Sequence, residues 1–264
     1  NVQKTLFMKL FSKIYGDGQE HLIIIHGLFG MSDNWNTLGK RFSEYYTVHL
    51  VDLRNHGRSP HSDEFNYDLM SSDIMKYISD NNIKKPSILG HSLGGKVAMK
   101  VAIDHPNIIR KLIVADIAPK KYNTSFHQDL LLKISKINLN LYSKRNDIEK
   151  ALSYSISDFN IRSFILKNLY RNEFKNFSWR FNVESLLHHL HNIQDDSFVK
   201  GKCNVPTIFI RGGNSDYITK EDEVKIQQHF IDCSILTIKN AGHWLHAEQP
   251  TEFFQVVLNS LSAK

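Results

Sequence analysis

Along its first half the chain alternates short apolar runs with turn-forming residues. His21–His26 (HLIIIH) runs into Gly27, and Thr47–Val51 (TVHLV) runs into Asp52. Runs of this length, rich in β-branched residues and bounded by turn formers, predict buried strands. Over 67–81 the apolar positions Leu69, Ile74, Tyr77 and Ile78 recur at helical spacing instead, which predicts a helix. A short strand at Ser87–Leu89 ends in Gly90, a helix follows from about Gly94 to Asp104, and Lys111–Ala115 (KLIVA) is a further strand ending at Asp116. Short apolar strands separated by helices imply a parallel sheet covered on both faces.

The periodicity changes near Tyr122. From there to Phe198 the chain reads as helical, rich in Lys, Asn and Leu, with no strand signal. Strands return at Val205–Arg211 (VPTIFIR) and Ser234–Ile238 (SILTI). A closing helix over Pro250–Ser262 turns Phe253, Phe254, Val257, Leu258 and Leu261 inward. The middle segment is too long for a plain crossover, so an inserted helical cap over one end of the sheet is expected. The predicted organisation is an α/β core over 1–119, a helical cap over 120–200 and the remainder of the core over 201–264. The sequence shows no internal repeat and no low-complexity tract.

Composition narrows the classes. With 264 residues, 41% hydrophobic and 23% charged, the chain is long enough for one large α/β domain with an insertion and is ordinary for a globular protein. The two cysteines, Cys203 and Cys233, make neither a disulfide framework nor a metal-ligand spacing, so no metal is expected and a reducing, cytoplasmic setting is. The net charge is +6, and 120–198 holds 12 Lys and Arg against 8 Asp and Glu, an excess that attracts anionic substrates. No basic run is interleaved with aromatics and no helix carries a basic stripe, which argues against nucleic acid as a partner. No apolar stretch is long enough to span a bilayer, so no membrane partner is expected. The opening residues have apolar positions broken by Lys, without the features of a secretory leader. Met8 is a candidate native start, which would make 1–7 an added segment. A monomer or homodimer is expected.

The chemistry gathers around Gly90-His91-Ser92-Leu93-Gly94, a G-x-S-x-G pattern. A strand (SIL) enters it and a small-residue helix (GGKVAM) leaves it, the strand–turn–helix setting in which a serine is held exposed at the carboxyl edge of a sheet. The sharp turn needs glycines because a Cβ would collide with the neighbouring backbone. Leu93 N–H, in the first turn of the helix, is placed to donate to an oxyanion. A serine hydroxyl needs a base at neutral pH. His243, in Asn240-Ala241-Gly242-His243-Trp244, follows the SILTI strand at the same edge of the sheet and is the candidate. His188, His189 and His191 read as a solvated helix face, and His246 as packing. The loop His26-Gly27-Leu28-Phe29-Gly30 follows the first clear strand, where a second oxyanion N–H belongs, with Leu28 the first candidate and Phe29 the second. A carboxylate must orient the histidine. Asp116 and Asp216 both end strands, and position alone favours Asp216, on the later strand.

The blocks HGLFG (26–30), DLRNHGRSP (52–60), GHSLGGK (90–96), ADIAP (115–119), WRFN (179–182), GGNS (212–215) and AGHWLHAE (241–248) together resemble the α/β-hydrolase serine esterases of the YbfF type. The resemblance runs from about His21 to Leu261. It implies the α/β-hydrolase fold, a mostly parallel sheet flanked by helices with a helical cap, and no cofactor. It implies hydrolysis of small to medium acyl esters, with acyl-CoA thioesters as further substrates. It also implies that the acid is Asp116, that Ser215 assists the His–Asp pair, and that Asp216 is a departure from the pattern. His91, Trp179, Phe181 and Trp244 are expected to line the substrate pocket, with Arg180 beside them at the cap. The loop carrying Asp52, Arg54, Asn55, His56, Gly57 and Ser59 is expected to be a hydrogen-bonded brace. Two alternatives share these residues: another hydrolase chemistry, such as C–C bond cleavage or perhydrolysis, and a silent scaffold, which a fluorophosphonate probe would not label.

Overall fold

The computed structural model describes residues 7–262 of the chain. All but Phe7 of the candidate added segment lies outside the described residues. In chain order the core opens with β1 (Ser12–Tyr15), β2 (His21–Ile25), α1 (Asn36–Phe42), β3 (Thr47–Val51), α2 (Tyr67–Asp80), β4 (Ser87–His91), α3 (Leu93–Asp104) and β5 (Lys111–Ala115). Next come α4 (Ser125–Ser135), α5 (Arg145–Ser153), α6 (Phe159–Leu166), β6 (Leu169–Arg171), β7 (Phe177–Trp179), α7 (Val183–His188) and α8 (Leu190–Gln194). The chain ends with β8 (Thr207–Gly212), α9 (Asp222–His229), β9 (Cys233–Ile238), α10 (Leu245–Glu248) and α11 (Pro250–Ser262). The strands order β1-β3-β2-β4-β5-β8-β9 in one sheet; β1 pairs antiparallel with β3 and the rest are parallel.

The apolar character of β2 follows from its two covered faces. Ile23 and Ile25 belong to the core that includes Ile74 and Ile78 of α2 and Val97 and Val101 of α3. Leu22 and Ile24 face the other core, with Leu38 and Phe42 of α1 and Phe253 and Val257 of α11. Successive side chains of a strand point to opposite faces, so a strand sandwiched between helix layers must be apolar throughout.

Sequence reading missed β1, α1 and α9, and 122–198 is not all helical. Within it, β6 and β7 form an antiparallel hairpin, Leu169 opposite Trp179. Three-residue strands give no legible alternation, and the hairpin is set by its turn: Asn172 Oδ1 accepts from the N–H of Phe174 and of Asn176 at 3.1 and 3.0 Å.

The segment between β5 and β8 is tied to the loops at the carboxyl ends of β2 and β3. Asn168 Nδ2 donates to Phe29 O at 2.9 Å, and Asn182 N–H to Asn55 O at 2.9 Å. The loop after β3 is the brace. Asp52 is fully buried and accepts from Ser32 and Arg58 N–H at 2.5 and 2.8 Å, while Arg54 grips Asp73 at 2.7 and 2.9 Å.

Candidate active site

Ser92 stands between β4 and α3 with φ 52° and ψ −120°. This is a strained backbone for a residue with a Cβ, and the surrounding structure must hold it. The glycines permit the turn: a Cβ on Gly90 would meet the Gly94 backbone, and one on Gly94 would meet the carbonyls of Ile25 and His26. The turn is locked by Ser92 N–H donating to Ala115 O at 3.0 Å.

His243 brings the serine and a carboxylate together. Its Nε2 lies 3.0 Å from Ser92 Oγ, and its Nδ1 lies 2.8 Å from Asp116 Oδ2. The carboxylate can only accept, so Nδ1 carries the proton and Nε2 is free to accept from the serine hydroxyl. Asp116 ends β5 with φ 52° and is fully buried. It also accepts from Gly212 N–H at 3.0 Å and from Ser215 Oγ at 2.5 Å. Tyr217 stacks on the His243 ring, centroids 3.6 Å apart and planes 16° apart, fixing the imidazole from one face.

Asp216, favoured by strand position, is exposed, and the carboxylate beside His243 is that of Asp116. The reason is local: Ser215, the neighbour of Asp216, turns inward onto Asp116 and leaves Asp216 facing solvent.

Leu28 and Leu93 border one cavity beside Ser92, and Leu28 borders a second as well. Among the described residues neither the Leu28 nor the Leu93 N–H donates to another group of the protein. Phe29, with φ 60°, borders only the second cavity, its ring packed on Phe181 at 5.3 Å.

His91 and Trp244 line the second cavity together with His243. Trp179 and Phe181 do not. Phe181 is 1% exposed, tilted against Phe29 and stacked on Trp179, so it supports the loop after β2 from behind rather than facing the cavity. The cavity wall is supplied instead by Phe126, His127 and Leu130 of α4 and Ile161 and Phe164 of α6. Their contribution was illegible because it depends on where distant helices settle.

The site's other histidines are held neutral. Burial lowers His26 to about 4; its Nδ1 lies 2.8 Å from Gly27 O and its Nε2 accepts from Leu53 N–H at 3.1 Å. His91 is pushed well below the usual value, first by burial and then by His246 and His243, and its Nε2 lies 2.8 Å from His243 O. His246 packs, stacked on Trp35 at 4.2 Å. His188 and His191 are exposed, and among the described residues no cluster of His, Cys, Asp or Glu could hold a metal ion.

Residues 22–256 match the Alpha/beta hydrolase family. The sn-1-specific diacylglycerol lipase of Danio rerio is 35% identical over 91% of this chain and 78% of its own length. Esterase YbfF of Escherichia coli is 29% identical over 91% of this chain and 92% of its own length. The structure of a marine microorganism esterase superposes with a TM-score of 0.92 at 40% identity, covering 96% of this chain and 99% of that one.

Proposed function

The chain belongs to the alpha/beta hydrolase family and is a carboxylic ester hydrolase, and from that premise we propose a serine esterase mechanism run by Ser92, His243 and Asp116. The observation that carries it is the continuous path from Ser92 Oγ to His243 Nε2 at 3.0 Å and from His243 Nδ1 to Asp116 Oδ2 at 2.8 Å. Ser92 Oγ attacks the ester carbonyl carbon, and its proton passes to His243 Nε2. The carbonyl oxygen takes the negative charge and accepts from the Leu28 and Leu93 N–H groups, each such donor being worth about 3 kcal/mol. Buried Asp116 steadies the imidazolium. When the intermediate collapses, the bond to the alcohol oxygen breaks and that oxygen takes the proton from Nε2. Water repeats the sequence on the acyl-enzyme and releases the acid. A thioester fits the same steps, with a thiol as leaving group.

The cavity shared by Ser92, Leu28 and Leu93 measures ≈ 50 Å³. A cavity of this size favours short acyl groups. Ser92→Ala should abolish hydrolysis of p-nitrophenyl acetate and butyrate while leaving the melting temperature near that of the parent. Persistent turnover by the folded variant would remove Ser92 from the reaction. A series of esters and acyl-CoA thioesters of graded length then fixes the acyl preference, expected to peak at short chains.

A further inference from the structure

The acyl-transfer steps leave a buried cation beside the serine unused. Lys96 lies one helical turn beyond Ser92 on α3 and is 2% exposed. Its ammonium has three N–H donors. One is taken by the carbonyl of Asp195 at 3.1 Å. The rings of Tyr122, Tyr67 and Phe198 surround the nitrogen at 5.0, 5.7 and 5.8 Å. π faces soften the burial of a cation but do not neutralise it.

Asp195 and Asp196 offset part of its charge from a distance, but among the described residues no carboxylate makes an ion pair with it, and each nearby group has partners of its own. The Asp195 carboxylate accepts from the N–H groups of Asp196 and Ser197 at 2.8 and 3.2 Å, and Asp196 pairs with Lys225 at 2.6 Å. The phenol of Tyr67 donates to Ile193 O at 2.8 Å, and that of Tyr122 to Tyr217 O at 2.5 Å. Burying an ammonium without a carboxylate in contact is costly, and here burial outweighs the pull of Asp196 and Asp195 and brings the lysine down from 10.5 to about 8. Such a group, set in a cleft at a reactive centre, marks where an opposite charge from outside the chain can be received.

The cavity that Lys96 lines is the one bordered by Ser92, Leu28 and Leu93, with Ile117, Tyr122 and Tyr217 also in its wall. His243 lines the second cavity and not this one. The leaving oxygen must be reached by the proton on His243 Nε2, so the alcohol part occupies the cavity that His243 lines. The acyl part then points toward Lys96. Resting on the serine esterase reading above, we propose that Lys96 receives a carboxylate at the far end of the acyl group, so that the preferred substrates are monoesters of short dicarboxylic acids. The overall charge of +6 draws such anions toward the protein.

The test compares monoethyl succinate with ethyl pentanoate, a neutral ester of similar size, following acid release by pH-stat. In the parent enzyme kcat/KM should favour the monoester about 10- to 100-fold, the range of a charge-assisted hydrogen bond. Lys96→Met should collapse that ratio toward one, and Lys96→Arg should recover part of it. As a second arm, 3-acetoxypropanoate places the carboxylate on the alcohol side and should show no advantage over ethyl acetate. A ratio unchanged in Lys96→Met, or a parent enzyme that prefers the neutral ester, overturns the proposal; so does a preference carried by 3-acetoxypropanoate. If Lys96→Met does not fold, the parent ratios decide. If no ester is turned over, the serine esterase reading fails first, and calorimetric binding of succinate but not pentanoate to Ser92→Ala still decides the role of Lys96.

Discussion

Asp116 holds a backbone conformation that glycine would adopt freely, φ 52°, at a cost of order 1–3 kcal/mol for any other residue. What the strain achieves is direction: the carboxylate turns off the end of β5 and accepts from Gly212, Ser215 and His243 at once. Asparagine has the same shape but offers an N–H where an acceptor is needed, which turns the imidazole to the wrong tautomer. Asp116→Asn should therefore lower kcat by about 10³- to 10⁴-fold with little change in KM. Asp216→Asn, at an exposed carboxylate, should leave kcat/KM at the parent value; a large loss there with Asp116→Asn active would reverse the assignment. Strand position pointed to Asp216, because both carboxylates lie at or just beyond strand ends at the same edge of the sheet and the later strand is the commoner place for the acid. The ADIAP block carried the distinction, and its physical basis is a backbone angle that composition does not express. Ser92, by contrast, was readable because its whole setting is local: a strand, glycines that a tight turn demands, and a helix start lie within a few residues.

At the scale of the element, α3 carries both a reactive start and a conspicuous misfit. Its buried residues are small or apolar apart from two lysines. Lys100 reaches the protein edge and pairs with Asp68 and Asp104 at 2.8 Å each. Lys96 points inward. A lysine four residues past the serine lies on the same helix face, so the sequence held the signal, but its burial depends on Tyr67, Tyr122 and Phe198 arriving from three other parts of the chain. The same dependence on remote partners hid the cavity wall built by α4 and α6. The lysine has a cost to the fold. Its folded value of about 8 lies below the free value of 10.5, which corresponds to about 3 kcal/mol at the upper limit. The sign is fixed by proton counting: between these values the unfolded chain binds the proton and the folded one does not, so stability rises with pH across that window. Below about pH 8 both states are protonated and the penalty is fully present. Lys96→Met should then melt above the parent at pH 7, and the gap should shrink as pH climbs from 8 to 10.5. A variant that melts well below the parent at pH 7 would mean that the cation stabilises the fold.

Across the whole molecule the same logic applies to histidine, with the opposite practical consequence. His26 follows β2, His49 lies on β3, His56 follows β3 and His246 lies on α10, all of them buried. Burial is the first cause of each lowered value: about 4 for His26 and His49, about 3 for His56 and His246. Two of them hold the first strands and the loop after β3 as neutral rings, His26 Nε2 accepting from Leu53 N–H at 3.1 Å and His49 Nδ1 lying 2.8 Å from the Tyr77 hydroxyl, while among the described residues His56 Nε2 and His246 Nδ1 are buried without a hydrogen-bond partner. In the unfolded chain each binds a proton near pH 6.5. Between that value and 3–4 the unfolded state is the more protonated, so the stability is whole above pH 6.5 and drains away as the pH falls below it. At pH 5 each site has lost about 2 kcal/mol, and four together approach about 8 kcal/mol, comparable with the 5–15 kcal/mol that a whole domain possesses. The protein should lose its melting transition near pH 5, above the range in which carboxylates titrate, with the uptake of about six protons on unfolding, since burial also lowers His91 and His127. Urea denaturation from pH 7 to 4.5 with paired proton-uptake titration measures both quantities. A stability that stays level down to pH 4.5 would mean that these imidazoles are solvated in the folded state, and the tight packing of the loops around Ser92 would have to be given up with it.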